Sequence, residues 1–186
     1  MMDGKRVDET KIRMAQMMTP NDANVLGKVF GGSILALIDL AASACSQRYA
    51  GRVCVTAAFE RVDFLAPVEI GELVELDAFV SFVGRTSVEV TIDVHATHLP
   101  TDSRRHVNTA RVTMVAVQDG RPVAVPRLIC ESREERLRFL AGRLRRELRS
   151  ERTAQMAELL GRLEALGDSE LESLLGMEGS LVDHID

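Results

Sequence analysis

The stretch Asn21-Asp22-Ala23-Asn24-Val25-Leu26-Gly27-Lys28-Val29-Phe30-Gly31-Gly32 runs directly into Ser33-Ile34-Leu35-Ala36-Leu37-Ile38-Asp39-Leu40. A polar loop meets a glycine pair, and the pair opens an almost wholly apolar helix that runs to about Tyr49, where Ala50-Gly51 stops it. A helix that is apolar on every side is a buried helix. One carboxylate, Asp39, lies within it, and no Lys or Arg occurs between Lys28 and Arg48 to pair with it locally. A buried carboxylate without a partner costs free energy. A role other than stability is therefore expected for Asp39.

The flanking residues read as strands. Residues 11–18 form a first strand, ended by Thr19-Pro20 because proline removes a ladder donor. After the helix, residues 53–59 alternate, and residues 62–65 continue that strand past a bend. Residues 72–83 place Val74, Leu76, Ala78, Val80 and Phe82 on one face. Residues 87–97 set Val88, Val90, Ile92, Val94 and Ala96 against polar neighbours. A polar loop, 98–106, precedes a last strand over 107–117. Strands in succession with no helix between them make an antiparallel meander, and a lone buried helix packs on its concave face.

Residues 1–10 are polar and read as a flexible leader. Past residue 130 the pattern changes to Arg and Glu, with Leu137, Leu140, Leu144 and Leu148 at helical spacing. Residues 151–166 repeat this with Met156, Leu159, Leu160, Leu163 and Leu166. Two amphipathic helices are predicted here, packing on the domain, on a partner subunit or on each other.

The 186 residues suffice for one domain with an appendage. A 46% hydrophobic and 27% charged composition is globular. The net charge of −5, one Tyr and no Trp give no footing for nucleic acid. Three cysteines, Cys45, Cys54 and Cys130, are odd in number and form no CxxC pair, which points to a reduced, cytoplasmic setting. The N-terminus lacks a secretory apolar run. The apolar helix, interrupted by Asp39, falls short of the ~20 residues a bilayer span needs, so no membrane association is expected.

Asn24-x-x-Gly27-x-x-x-Gly31-Gly32 with Asp39 on the helix resembles the acyl-CoA thioester hydrolases of the hotdog fold, both the short bacterial enzymes and the cytosolic enzymes of animals. The resemblance continues through Thr56-Ala57, Asp63-Phe64-Leu65-Ala66-Pro67-Val68, Gly71-Glu72, Val83-Gly84-Arg85-Thr86-Ser87 and Val125-Pro126-Arg127. It spans roughly residues 10 to 130, so a hotdog hydrolase domain is expected over 11–130 and a helical extension over 131–186. It implies an α+β fold in which five to six antiparallel strands wrap one central helix. It also implies dimers with shared active sites, the Asp of one subunit facing the Asn loop of the other, and trimers of such dimers as hexamers. The reaction implied is hydrolysis of acyl-CoA to free acid and CoA. No metal and no separate cofactor are implied, since CoA belongs to substrate and product.

On that resemblance the roles follow. The Gly31 and Gly32 amides at the helix start would hold the oxyanion, since unpaired N–H groups and the helix dipole favour negative charge there. The same pair would also serve as a plain tight turn. Asp39 would be general base or anhydride-forming nucleophile, its pKa raised by apolar surroundings. It would otherwise be a structural carboxylate held by backbone amides or a distant Arg. Asn24 would orient water or carbonyl, or only shape its turn. Arg85, within Gly84-Arg85-Thr86-Ser87, is a candidate for CoA phosphates, and Thr56 for the acyl or pantetheine channel. Two other readings share the cup. A hotdog hydratase or dehydratase would need a catalytic His, and none lies between Asn24 and Asp39. A non-catalytic acyl-CoA sensor would not need the carboxylate. Cys45 lacks a recognisable base partner.

Overall fold

The computed structural model describes residues 4–185. Its strands are β1 (Lys5–Arg6), β2 (Ile12–Met17), β3 (Cys54–Phe59), β4 (Leu73–Val83), β5 (Ser87–His98), β6 (Ser103–Gln118), β7 (Arg121–Pro122) and β8 (Leu128–Ile129). Its α-helices are α1 (Gly31–Ala50), α2 (Arg133–Glu164), α3 (Asp168–Leu175) and α4 (Val182–Ile185). The chain divides into two compact units at Gly142/Arg143.

In the first unit an antiparallel sheet of order β2-β4-β5-β6-β3, with β7 added to β6, curls around α1. The alternation seen in the sequence sets the inner face. Val74, Leu76, Ala78 and Val80 of β4, Val88 to Ala96 of β5, and Ala110 to Ala116 of β6 meet Ile34, Ile38, Ala41, Ala42 and Cys45 of α1. Helix α1 ends where glycine is needed: Gly51 takes the left-handed conformation (φ 64°) and its N–H donates to Gln47 O. Tyr49 Oη then donates to Pro126 O at 2.7 Å, fixing that end of the helix. Among the described residues no helix is long and apolar enough to cross a membrane.

Several expectations need correction. Helix α1 is not buried on every side. Ala36, Leu40 and Ala44, spaced by four, form an open stripe, and Leu40 is 57% exposed. Beside it the edge strand β3 exposes Val55, Thr56 and Ala57. Phe82 leaves the inner row, because a bulge between Val80 and Phe82 makes Ser81 an extra residue and turns Phe82 outward. The expected leader is also docked over its described part. β1 pairs in parallel with β8, and Val7 and Thr10 are buried. Thr10 Oγ1 accepts the Val80 N–H at 3.0 Å, satisfying the backbone at the bulge. Residues 62–65 form no strand, although Leu65 N–H donates to Val107 O. The expected loop 98–106 shrinks, with β5 and β6 reaching almost to its tip.

The two predicted C-terminal helices are one, α2. The first unit keeps the start of α2 because Phe139 packs against Phe82 at 5.1 Å between ring centroids and the Arg138 guanidinium lies over Phe79. Gly142 permits that approach: a Cβ there would stand 2.9 Å from Phe82 Cγ. The second unit holds the rest of α2 with α3 and α4. Arg143–Glu147 and Glu158–Arg162 pairs at i,i+4 brace it, while Leu144, Leu148, Met156 and Leu160 are exposed.

Candidate active site

The loop before α1 is built on Asn24. Its side-chain Oδ1 accepts the N–H groups of Leu26 (2.9 Å) and Lys28 (3.1 Å). The backbone closes the same loop through Asn24 N–H to Lys28 O and Gly27 N–H to Asn24 O. Gly27 supplies the positive φ of 72° that the turn requires. The Asn24 Nδ2 group has no acceptor among the described residues, so the amide turns the loop with its oxygen and keeps its donor free.

Helix α1 begins without a capping side chain, because its N-cap is Phe30. The N–H groups of Gly31 and Gly32 have no acceptor among the described residues. Aromatic rings close over the pair. Phe64 would touch a Cβ on Gly31, and the Phe30 ring fills the space a Cβ on Gly32 would need. Asn24, Gly31, Ile34, Phe64 and Leu65 line an open groove of about 420 Å³, within the range of small-molecule sites.

Asp39 is not part of that groove. Eight residues of helix rise set it ~12 Å along the axis from Gly31. It is half-buried, and its partner is a hydroxyl rather than a cation: Thr56 Oγ1 donates to Asp39 Oδ1 at 2.6 Å. The sequence suggested Thr56 as a channel residue; the structure places it against the carboxylate. That contact was hidden in the sequence, although Thr56 lies on the alternating face of β3 that meets α1. One chain therefore presents two half-sites, Asn24 with Gly31-Gly32 and Asp39 with Thr56.

Residues 84–87 form the β4–β5 turn. Gly84 N–H donates to Ser87 O, Thr86 O accepts from Ala116 N–H and Arg85 O from Val125 N–H. Arg85 is exposed and forms no ion pair among the described residues. Cys45 is fully buried and burial pushes its thiol up to about 12, which removes the thiolate a nucleophile needs. His95 and His106 meet edge-on eight residues along β6 from Met114, the partner of Thr56. At strand rise that is ~26 Å from the carboxylate's strand position.

Residues 26–101 match the model of the thioesterase superfamily. An uncharacterized acyl-CoA thioester hydrolase of Bacillus subtilis is 38% identical over 128 residues, covering 68% of this chain and 74% of that protein. The chain belongs to the thioesterase superfamily. Among solved thioesterase structures, an apo-hexameric acyl-CoA thioesterase shares 35% identity at a TM-score of 0.78, covering 82% of this chain and 98% of that one. An acyl-CoA hydrolase of Staphylococcus aureus, solved with butyryl coenzyme A, coenzyme A and coenzyme A disulfide, shares 28% identity at 0.75, covering 86% and 98%. That enzyme was also solved with an asparagine, an aspartate and a threonine each changed to alanine, the asparagine variant holding coenzyme A. The chain intervals between those three positions equal those between Asn24, Asp39 and Thr56.

Proposed function

We propose that this chain hydrolyses acyl-CoA thioesters to the free acid and CoA, with Asp39 directing the attacking water. The observation that carries the reading is the 2.6 Å bond from Thr56 to Asp39. It fixes one carboxylate oxygen and leaves the other without a partner among the described residues, with no cation paired to it. A base held in this way takes a proton from water as the water oxygen bonds to the thioester carbon. Negative charge gathers on the carbonyl oxygen, where the uncapped Gly31 and Gly32 N–H groups act as donors. Collapse breaks the C–S bond, and the proton returns to the CoA thiolate. Direct attack by the same carboxylate would give an anhydride; water opening it at the Asp39 carbonyl would leave ¹⁸O on the enzyme carboxylate after a single turnover in ¹⁸O-water, a label that direct attack of water on the thioester does not leave.

Because Asp39 lies outside the Asn24 groove, the reading completes the site between two copies. Asp39 and Thr56 of one copy face Asn24 of the partner subunit, whose free Nδ2 donates to the carbonyl or water oxygen. The open stripe of α1 and the exposed β3 edge support such a dimer, and the hexameric relatives agree with a trimer of dimers. Gly84, Arg85, Thr86 and Ser87 are left as CoA contacts at the sheet end. The reading needs no metal and no cofactor beyond the CoA of the substrate, and three free thiols suit a reducing cytoplasm.

The test is a turnover panel of acyl-CoA chain lengths on wild type and Asp39→Ala. CoA release by wild type and its loss in the variant is the expected result. Equal turnover by both proteins would remove Asp39 from the chemistry.

A further inference from the structure

Resting on the acyl-CoA reading above, we infer that Arg52 and Arg121 form the seat of the CoA nucleotide phosphates. The inference starts from Thr56. Thr56 and Cys54 share a face of β3, and Arg52 lies two residues before Cys54, where a backbone bond from Val117 to Val53 carries the pairing past the end of the strand. That face is the inner one: Thr56 bonds Asp39, and Cys54 is buried in the core.

On the neighbouring strand β6 the same face carries Met114, Ala116 and then Gln118, the first two also in the core. Val117 N–H donates to Val53 O at 2.9 Å. One residue further out, the Arg52 guanidinium donates to Gln118 Oε1. On the other side of β6, Gln118 pairs with Arg121 across the β6–β7 hairpin. Its turn residues Asp119 and Gly120 have φ of 51° and 73°, the pattern of a type I′ hairpin whose closing residues face the same way. Gln118 and Arg121 of the β6–β7 hairpin and Arg52 in the bend before β3 thus form one row, ~10 Å from end to end.

The row is positively charged. Several arginines of this unit are answered by carboxylates, as in Arg13–Asp77, Arg61–Asp63, Arg104–Glu75 and Arg105–Glu72, while the exposed Arg85 is not. Arg52 and Arg121 form no ion pair among the described residues, and Asp119 of the turn pairs with neither. A neutral Gln lies between two like charges in a protein of net charge −5. Such an arrangement is suited to an incoming anion, since two planar guanidiniums match phosphate oxygens. Gln118 lies four residues of strand, ~13 Å, from Met114, the partner of Thr56, so a pantetheine arm laid along β3 would join the reacting thioester to phosphates at the row. Arg85, by contrast, lies opposite Val117 rather than Gln118 when the β5–β6 register is extended. Residues Val117 and Gln118 point to opposite faces.

The test compares an acyl-CoA with the matching acyl-pantetheine, which lacks the nucleotide, on wild type, Arg52→Gln, Arg121→Gln and the double variant. Each single variant should raise KM for acyl-CoA about tenfold, with kcat unchanged and acyl-pantetheine kinetics unaffected. Adenosine 3′,5′-bisphosphate should inhibit wild type and lose potency in the double variant. An unchanged KM for acyl-CoA, an equal loss on both substrates, or inorganic phosphate competing as well as the bisphosphate would overturn the assignment. A wild type that turned over neither substrate would sink the thioesterase reading instead. Direct binding of the bisphosphate, present in wild type and lost in the double variant, would then still decide the seat.

Discussion

Thr56 Oγ1 lies 2.6 Å from Asp39 Oδ1, so a hydroxyl on the edge strand orients the one carboxylate of the central helix. The two residues belong to different elements, and the bond between them joins the end of the sheet to the middle of α1. A carboxylate tethered through one oxygen presents the other in a fixed direction. Asp39→Asn should lower kcat by ~10²–10⁴, the worth of a positioned base. Thr56→Val should lower it less, by about ten- to a hundredfold, since a hydrogen bond to a charged group is worth ~1.5–3 kcal/mol. Steady-state CoA release measures both, and a Thr56→Val enzyme with wild-type kcat would show that the tether is idle.

Asn24 uses its two ends differently, and substitution can separate them. Oδ1 holds the Leu26 and Lys28 amides, a task a carboxylate performs as well. Asn24→Asp should keep the thermal midpoint within a degree or two of wild type while activity falls, because only the Nδ2 donor is lost. Asn24→Ala should lose activity and ~1 kcal/mol of stability together. A fully active Asn24→Asp enzyme would confine the residue to its turn.

Acid stability should depend on Glu72. This buried carboxylate accepts two bonds from Arg105, both at 2.6 Å, and one from Glu69 N–H at 2.8 Å. The Arg105 hydrogen bond is the main reason its pKa falls below the ordinary 4.5, outweighing the opposing effect of burial. A lowered folded value means that its contribution is fully present above pH 4.5 and is lost as pH falls through the lower folded value. Thermal midpoints of Glu72→Gln should be lower than wild type at neutral pH, and the gap should close under acid. Arg105→Met should cost about 3 kcal/mol at neutral pH, because it strands a buried charge. Parallel melting curves at every pH would contradict this account.

Two glycines of α2 should respond oppositely to the same change. A Cβ at Gly142 would meet Phe82 and come 3.0 Å from Glu89 Oε1, so Gly142→Ala should cost ~1–3 kcal/mol. A Cβ at Gly161 meets nothing within 4 Å, so Gly161→Ala should stabilise by ~0.5–1 kcal/mol through helix propensity. Urea unfolding of the two variants reads both signs.

Read alone, the sequence determined the elements whose signal is local. The glycine pair, the apolar run and Gly51 bounded α1 to within a residue or so, and strict alternation assigned the inner rows of β5 and most of β4. It also singled out Asp39, because a lone carboxylate in an apolar helix is a local anomaly. Tertiary structure alone decided what depends on residues far apart in the chain. The bulge that sends Phe82 outward, the docking of Thr10 onto Val80, the bond from Thr56 to Asp39 and the row of Arg52, Gln118 and Arg121 all arise from strand register. Periodicity reports which way a side chain faces along its own strand. Register, set by how whole strands pair and where one carries an extra residue, decides which side chain it meets.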